Sequence, residues 1–243
     1  MTVYFLRDVV IKADTGTTAL EAAKLSAYQF VNDDFVVPKV LHHDPSSDLL
    51  VLQRLRGYVG LQQVYLQART NPDEALLVFH RVGRALARLH GHSGVEQAWV
   101  QRLLPPEAPR LDGDVLIHGD YGFSNLLVNL DAGGLAVLDP VPRHGATSSL
   151  HDWRPLDDMV TMTSCLLGRV PLPDVRFLPW IPRKQLLASF LEGYRSLRSA
   201  QVDQAALING AASVLARYLV DSRRMPATMA ARFAVFLGSG IRE

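Results

Sequence analysis

Asp120, Asn125 and Asp139 are residues whose types and spacing suggest chemistry. Apolar runs at 126–128 and 135–138 predict two short strands, and the Asp-Ala-Gly-Gly segment between them is typical of a turn. Folding the chain about the middle of that turn places residue 126 opposite residue 139, so Asn125 and Asp139 become neighbours at the open end of a hairpin. Asp120 enters the same region from upstream. Because carboxylate and amide oxygens are hard ligands, the three residues predict a magnesium site suited to phosphate oxygens.

The chain that leads to Asp120 supports this interpretation. A short apolar run at 115–117 ends abruptly in His118-Gly119-Asp120, as expected where a buried strand delivers a loop of functional groups to a surface. The Asp139-Pro140 pair alone would also be compatible with an ordinary turn. The combination of spacing, strand context and hairpin geometry therefore indicates a site more specifically than any single residue does.

Length and composition predict the class of protein that must position these groups. A chain of 243 residues is long enough for a sizeable core, either as one large domain or as two unequal lobes around a cleft. The net charge of +1 favours neither nucleic acid nor a membrane as a partner. Its one cysteine, Cys165, excludes an internal disulfide and fits a reducing compartment. With no signal peptide or long apolar run in the sequence, we expect a cytoplasmic protein.

The N-terminal segment predicts a β-hairpin followed by a helix. Residues 2–13 form the hairpin pattern and place Lys12 in an apolar strand. A lysine there is either an edge-strand gatekeeper or a functional charge turned into a cleft. The helix is predicted from about residue 18 to 31, and its first turn, Thr18-Ala-Leu-Glu21, matches a capping box in which Glu21 satisfies a backbone donor.

The remaining patterns predict two more strands and a helical second half. Strands are expected at 36–41 and 48–53 around a polar turn at 42–47, whose two histidines favour a solvated loop over a metal site. Asn71-Pro72 starts an amphipathic helix that ends at Gly91. Further helical patterns occupy 183–200, 203–222 and 225–237.

The segment His118-Gly119-Asp120, four residues, Asn125 and then Asp139 resembles the catalytic segment of the aminoglycoside phosphotransferase and choline kinase-like branch of the kinase fold. The resemblance implies an α+β, two-lobed protein-kinase-like fold, with a short, mainly β lobe over 1–57 and a helical catalytic and substrate-binding lobe over 58–243. It implies that Asp120 accepts the proton of the attacking hydroxyl. Asn125 and Asp139 would hold Mg²⁺ against the nucleotide phosphates, and His118 would support the loop by hydrogen bonding.

The same resemblance implies a nucleotide site in the first lobe. Val10-Ile11-Lys12 resembles the strand whose lysine reaches the phosphates of ATP or GTP. Its helix partner would be Glu21, so this residue has two competing interpretations, ion pair and helix cap. The segment 50–57 resembles the hinge, where backbone groups near Gln53 and Leu55 would bind the base; the family commonly has Glu at the position of Gln53. Downstream, Asp157 or Asp158 would orient the catalytic loop.

One departure leaves two functions open. Only eleven residues precede Lys12 in the sequence, too few for the glycine-rich hairpin that covers the phosphates in related kinases. The first possibility is a phosphotransferase with a reduced small lobe, acting on a hydroxyl of an aminoglycoside-like compound or of another amino alcohol or sugar. The second is a weak or inactive relative that binds nucleotide or a partner without turnover. The oligomeric state is open.

The charge of the C-terminal segment bears on the acceptor. Between Leu191 and Glu243 there are seven arginines and four acidic residues. A polycationic aminoglycoside favours an acidic wall, so this balance favours other acceptors. Protein substrates are disfavoured because no evident activation segment lies between Asp139 and the next predicted helix.

Overall fold

Four short strands build the N-terminal sheet. The structure, a computed structural model, describes residues 2–13, 16–29, 34–91, 117–140, 155–168, 181–198, 202–222, 226–232 and 235. The sheet is antiparallel, with strand order β1-β2-β4-β3. Its members are β1 (Thr2–Phe5), β2 (Val9–Ala13), β3 (Val40–Asp44) and β4 (Leu49–Gln53). Helix α1 (Thr18–Tyr28) packs against β3 and β4 and contributes Leu25 and Tyr28 to the core.

Lys12 lies on an interior strand of this sheet. It pairs in register with Val3 of β1 on one side and with Leu50 of β4 on the other. Its side chain is largely buried. The edge-strand gatekeeper interpretation is therefore wrong, because β1, not β2, is the outer strand.

The turn between β3 and β4 lies later than predicted. Strand β3 begins at Val40 and continues through both histidines, so the strand at 36–41 and the turn at 42–47 are misplaced. Asp44 explains the shift, because its carboxylate accepts hydrogen bonds from the backbone N–H (2.9 Å) and the hydroxyl (2.6 Å) of Ser46. The turn thus starts at Asp44, and these hydrogen bonds lower the pKa of Asp44 to about 2.

The second part of the chain is mainly helical, as predicted, with one small sheet. This sheet has three strands in the order β5-β6-β7, and one turn of 3₁₀-helix (Phe123–Asn125) leads into its middle strand. The sheet and the helices are β5 (Val59–Gly60), α2 (Leu61–Gln67), α3 (Pro72–Gly91), β6 (Leu126–Asn129), β7 (Gly134–Val137), α4 (Pro155–Leu167), α5 (Arg183–Arg195) and α6 (Gln204–Asp221). Helix α3 has the bounds that its proline start and glycine end predict.

Helices α3 and α5 cross closely at two glycines. A Cβ atom at Gly83 would lie 1.9 Å from the backbone oxygen of Phe190, and one at Gly193 would lie 1.9 Å from that of His80. Only glycine allows backbones this near, so the crossing fixes α3 against α5. Helix α3 then delivers His90 in its last turn to the interior.

No helix in the described ranges combines the length and apolar character that crossing a membrane requires.

Candidate active site

The loop that carries Asp120 is anchored by a buried carboxylate on α4. Asp158 accepts hydrogen bonds from the backbone N–H groups of His118 (2.7 Å) and Gly119 (2.8 Å). His90 contacts the same carboxylate through Nε2 at 3.0 Å. Burial alone would raise the pKa of Asp158, but its bonds to His90 and His118 hold it below the ordinary value. Asp157 and Asp158 were both considered as the acid that orients the loop, and in the structure it is Asp158 that bonds to the loop.

The loop carbonyls are held from the opposite side by α1. Lys24 donates to the backbone oxygens of Ile117 (2.9 Å) and His118 (3.1 Å), and Tyr28 donates to that of Ile117 (3.1 Å). Sequence reasoning missed both residues. The signal was a lysine within the otherwise small and apolar stretch Ala-Ala-Lys-Leu-Ser-Ala, which is unusual on a helix that packs on a sheet.

Asp120 and Asn125 are in direct contact. The Asn125 side-chain Nδ2 donates to the backbone oxygen of Asp120 (2.8 Å) and to its carboxylate Oδ2 (3.0 Å). Both partners are acceptors, so the amide nitrogen must face Asp120 and the amide oxygen must face away. Both side chains are almost fully buried. The predicted proton acceptor and one predicted metal ligand are therefore brought together.

His118 bonds the loop through both ring nitrogens. Nδ1 accepts from the backbone N–H of Asp120 (3.1 Å), and Nε2 donates to the backbone oxygen of Leu138 (2.7 Å). This pattern fixes a neutral tautomer. Burial lowers the pKa of His118 to about 4, although Asp158 opposes that shift. His118 thus links Asp120 to the end of β7 by hydrogen bonding, and its role in catalysis stays a prediction.

Lys12 joins the small sheet to the end of the β6–β7 hairpin. Its Nζ lies 2.6 Å from Glu21 Oε1 and also forms an ion pair with Asp139. Helix α1 has Thr17 as its N-cap residue, and the Thr18 hydroxyl bonds to Asp48 (2.6 Å), so the predicted capping box does not form. Of the two interpretations of Glu21, the structure has the ion pair. Burial raises the pKa of Glu21, and the charge of Lys12 opposes this.

The hairpin register differs from the predicted one. Leu126 pairs with Val137, not with residue 139, and the Leu138 N–H donates to the backbone oxygen of Asn125 (2.8 Å). The centre of the turn lies one residue earlier than predicted, and the Asn129 side chain accepts a hydrogen bond from the Ala132 N–H (3.0 Å) across it. Asp139 consequently lies one residue past the position opposite Asn125. Its φ of 47° is in the left-handed region, which is uncommon for a non-glycine residue.

The predicted hinge residues lie at the other end of the sheet. Gln53 ends β4 opposite Val9, three positions along β2 from Lys12, which corresponds to about 10 Å. Its backbone N–H donates to the backbone oxygen of Lys39 (2.9 Å), and the residue is exposed. Leu55 lines a surface cleft of about 360 Å³, together with Arg7, Arg54, Arg56, Gly57 and Tyr58. The binding roles of Gln53 and Leu55, and the lobe boundary after Gly57, stay predictions.

The donor set fits a magnesium ion shared with phosphate better than a metal cage made of protein alone. Among the described residues, no group of three or more His, Cys, Asp or Glu side chains is arranged to hold a metal. Asn125 directs its amide oxygen away from Asp120, and Asp139 is 44% exposed at its side chain. One or two protein oxygens plus phosphate oxygens is the usual binding mode of Mg²⁺. Asn125 and Asp139 would be the protein ligands.

Some predicted segments lie outside the described residues. They include the strand at 115–116 and the end of the first helix at 30–31.

A solved structure shares this architecture. A choline/ethanolamine kinase family protein from Mesorhizobium loti matches with a TM-score of 0.51 at 14% sequence identity, over 99% of this chain and 84% of that chain. No protein-family model matches the chain, and no curated protein matches it in sequence. The structural likeness confirms the predicted α+β kinase-like fold, with a small sheet-containing lobe and a helical lobe.

Proposed function

We propose that this chain is a phosphotransferase that moves the γ-phosphoryl group of ATP or GTP to a hydroxyl of a small molecule. The observation that carries the proposal is the ion pair of Lys12 with Asp139, while Glu21 holds the same ammonium. It joins a cation from the small sheet to a carboxylate beside the Asp120–Asn125 pair. Lys12, the proposed phosphate-binding residue, thus lies in the same site as Asp120, the proposed proton acceptor.

Each side chain has a role that its surroundings support. Asp120 would accept the proton of the substrate hydroxyl. The oxygen of that hydroxyl would bond to the γ-phosphorus, while the bond from this phosphorus to the departing nucleoside diphosphate breaks. Lys12 would bind phosphate oxygens, with Glu21 fixing its position. Asn125 and Asp139 would hold Mg²⁺, which neutralises charge on the phosphates when it is bound.

The acceptor is proposed from two observations of different kinds. One solved structure with this fold is a choline/ethanolamine kinase family protein, which suggests an amino alcohol or a similar small hydroxyl compound as acceptor. The arginine excess between Leu191 and Glu243 disfavours a strongly cationic acceptor. We therefore place neutral or singly charged alcohols and sugars before aminoglycosides.

A screen of hydroxylated compounds for nucleotide consumption tests the proposal. The wild-type chain, with ATP or GTP and Mg²⁺, should consume nucleotide in the presence of at least one alcohol, amino alcohol or sugar, and phosphorus NMR should show a new phosphate ester. Asp120→Ala should abolish transfer without unfolding the chain. Asp131→Ala, which removes an exposed carboxylate from the hairpin turn, is the matched control and should retain activity.

Full turnover by a folded Asp120→Ala variant would refute the assignment of Asp120. Loss of transfer in both variants would likewise argue against a specific role.

A second candidate function is nucleotide binding without turnover. It is favoured by the turn between β1 and β2, residues 6–8, which contains no glycine and accepts hydrogen bonds from Arg54, just past the end of β4. Thermal shift separates the two candidates, because a ligand at a hundred times its Kd stabilises the folded state by about 2.7 kcal/mol. A shift with MgATP but no phosphate ester from any acceptor would favour this second function.

A further inference from the structure

Lys24 and Glu21 lie one turn apart on α1 and serve two different parts of the site. Glu21 holds Lys12 at 2.6 Å. Lys24, which is only 1% exposed, donates to the backbone oxygens of Ile117 and His118, the two residues before Gly119-Asp120. The phosphate-binding side chain and the loop of the proton acceptor are thus fastened to the same stretch of helix.

The loop peptides are held from both sides by opposite charges. The Lys24 ammonium takes the carbonyl oxygens of Ile117 and His118, whereas the Asp158 carboxylate takes the N–H groups of His118 and Gly119. Tyr28 adds a hydroxyl bond to the Ile117 oxygen. Charged partners make hydrogen bonds about twice as strong as neutral ones, so this double hold restricts the orientation of the loop.

A buried lysine is a costly way to fill this space. Burial lowers the pKa of Lys24 to about 7, with Asp158 opposing the shift. Well-packed apolar side chains often serve stability equally well at such positions. A role in fixing the loop explains the ammonium where packing alone does not.

We propose that Lys24 is a positioning residue that fastens α1 to the catalytic loop, so that Lys12 and Asp120 keep one relative placement. This inference rests on the proposed function for its kinetic consequence. Its structural consequence, protection of the loop around residues 117–125, holds independently of any activity.

The test compares Lys24→Met, which keeps the length and removes the ammonium, with Lys184→Met, an exposed lysine on α5. Lys24→Met should lower kcat by roughly tenfold to a hundredfold, because small displacements of reacting groups have effects of that size. The KM for the acceptor should change much less. Amide hydrogen exchange at 117–125 should become faster, while exchange in α6 stays as in the wild type. Lys184→Met should match the wild type in every measurement.

The outcomes separate this inference from the proposed function. A wild type without turnover would defeat the proposed function, and exchange at 117–125 would still decide the role of Lys24. Unchanged kcat and unchanged exchange in Lys24→Met would overturn the inference. If Lys24→Met does not fold, Lys24→Leu, which also removes the ammonium with a different apolar shape, decides: faster exchange at 117–125 supports the fastening, and unchanged exchange overturns it.

Discussion

Removing the Asp158 carboxylate should be among the most damaging changes to the fold. In Asp158→Ala the N–H groups of His118 and Gly119 and the Nε2 of His90 lose their acceptor in a fully buried place. A buried donor without a partner costs about 1–3 kcal/mol. Breaking a buried charge network costs about 3–5 kcal/mol in total, and we expect a loss of unfolding free energy in this range.

Urea unfolding at neutral pH, read by linear extrapolation, measures this loss. Asp157→Ala is the matched control, because Asp157 is only half-buried, and its loss should stay below about 1 kcal/mol. The lowered pKa of Asp158 also sets how its contribution to the free energy of unfolding depends on pH. The contribution is complete above the pKa of the unfolded state, near 4, and it is lost as the pH falls through the lower pKa of the folded state. A loss below about 1 kcal/mol in Asp158→Ala would refute the reasoning.

Two further predictions concern stability. Gly83→Ala should lower the free energy of unfolding by about 1–3 kcal/mol or more, because its Cβ would lie 1.9 Å from the Phe190 backbone oxygen. Gly60→Ala, whose Cβ would meet no atom within 4 Å, should be tolerated. Urea unfolding of both variants checks this, and equal losses of unfolding free energy would contradict it. The pKa of Lys24 falls from an ordinary 10.5 to about 7 on folding, so the unfolded state binds more protons between these values and stability should rise with pH from 7 to 10. Unfolding of Lys24→Met should lack this rise, and an identical slope in both chains would show that Lys24 is not its source.

Local patterns predicted the N-terminal hairpin and helices α1 and α3, but they misplaced β3 and did not show how the predicted site residues meet. Helix α3 begins and ends where a proline start and a glycine end place it, since both signals act within one turn. The hairpin was predicted with the wrong register because the chain was folded about the middle of residues 131–134, whereas the turn is centred one residue earlier and is bridged by the Asn129 side chain. Glu21 had two interpretations because a capping box and an ion pair place an acid at the same position, and only the approach of β2 decides between them.

Lys24 shows the limit of sequence reasoning most clearly. Its acceptors are the backbone oxygens of Ile117 and His118, which are 93 and 94 positions further along the chain. A backbone oxygen leaves no signature in the sequence. The same holds for Asp158, whose two backbone donors are 40 and 39 positions away. The sequence does indicate that burying this lysine costs free energy. A lysine among mostly small and apolar residues requires a compensating partner, even when that partner cannot be identified from the sequence.

The buried ammonium of Lys24 and the buried carboxylate of Asp158 stabilise each other across the loop. Lys24 and Asp158 interact electrostatically, and the loop peptides carry their partial charges in the matching sense, with carbonyls toward the ammonium and N–H groups toward the carboxylate. The peptides thus stabilise both ions, and each ion lowers the cost of burying the other. Removing either one takes away the hydrogen bonds that hold one side of the peptides preceding Asp120. The placement of Asp120, the proposed proton acceptor, therefore depends on α1 and α4 together, and α1 is also the helix whose Glu21 holds Lys12.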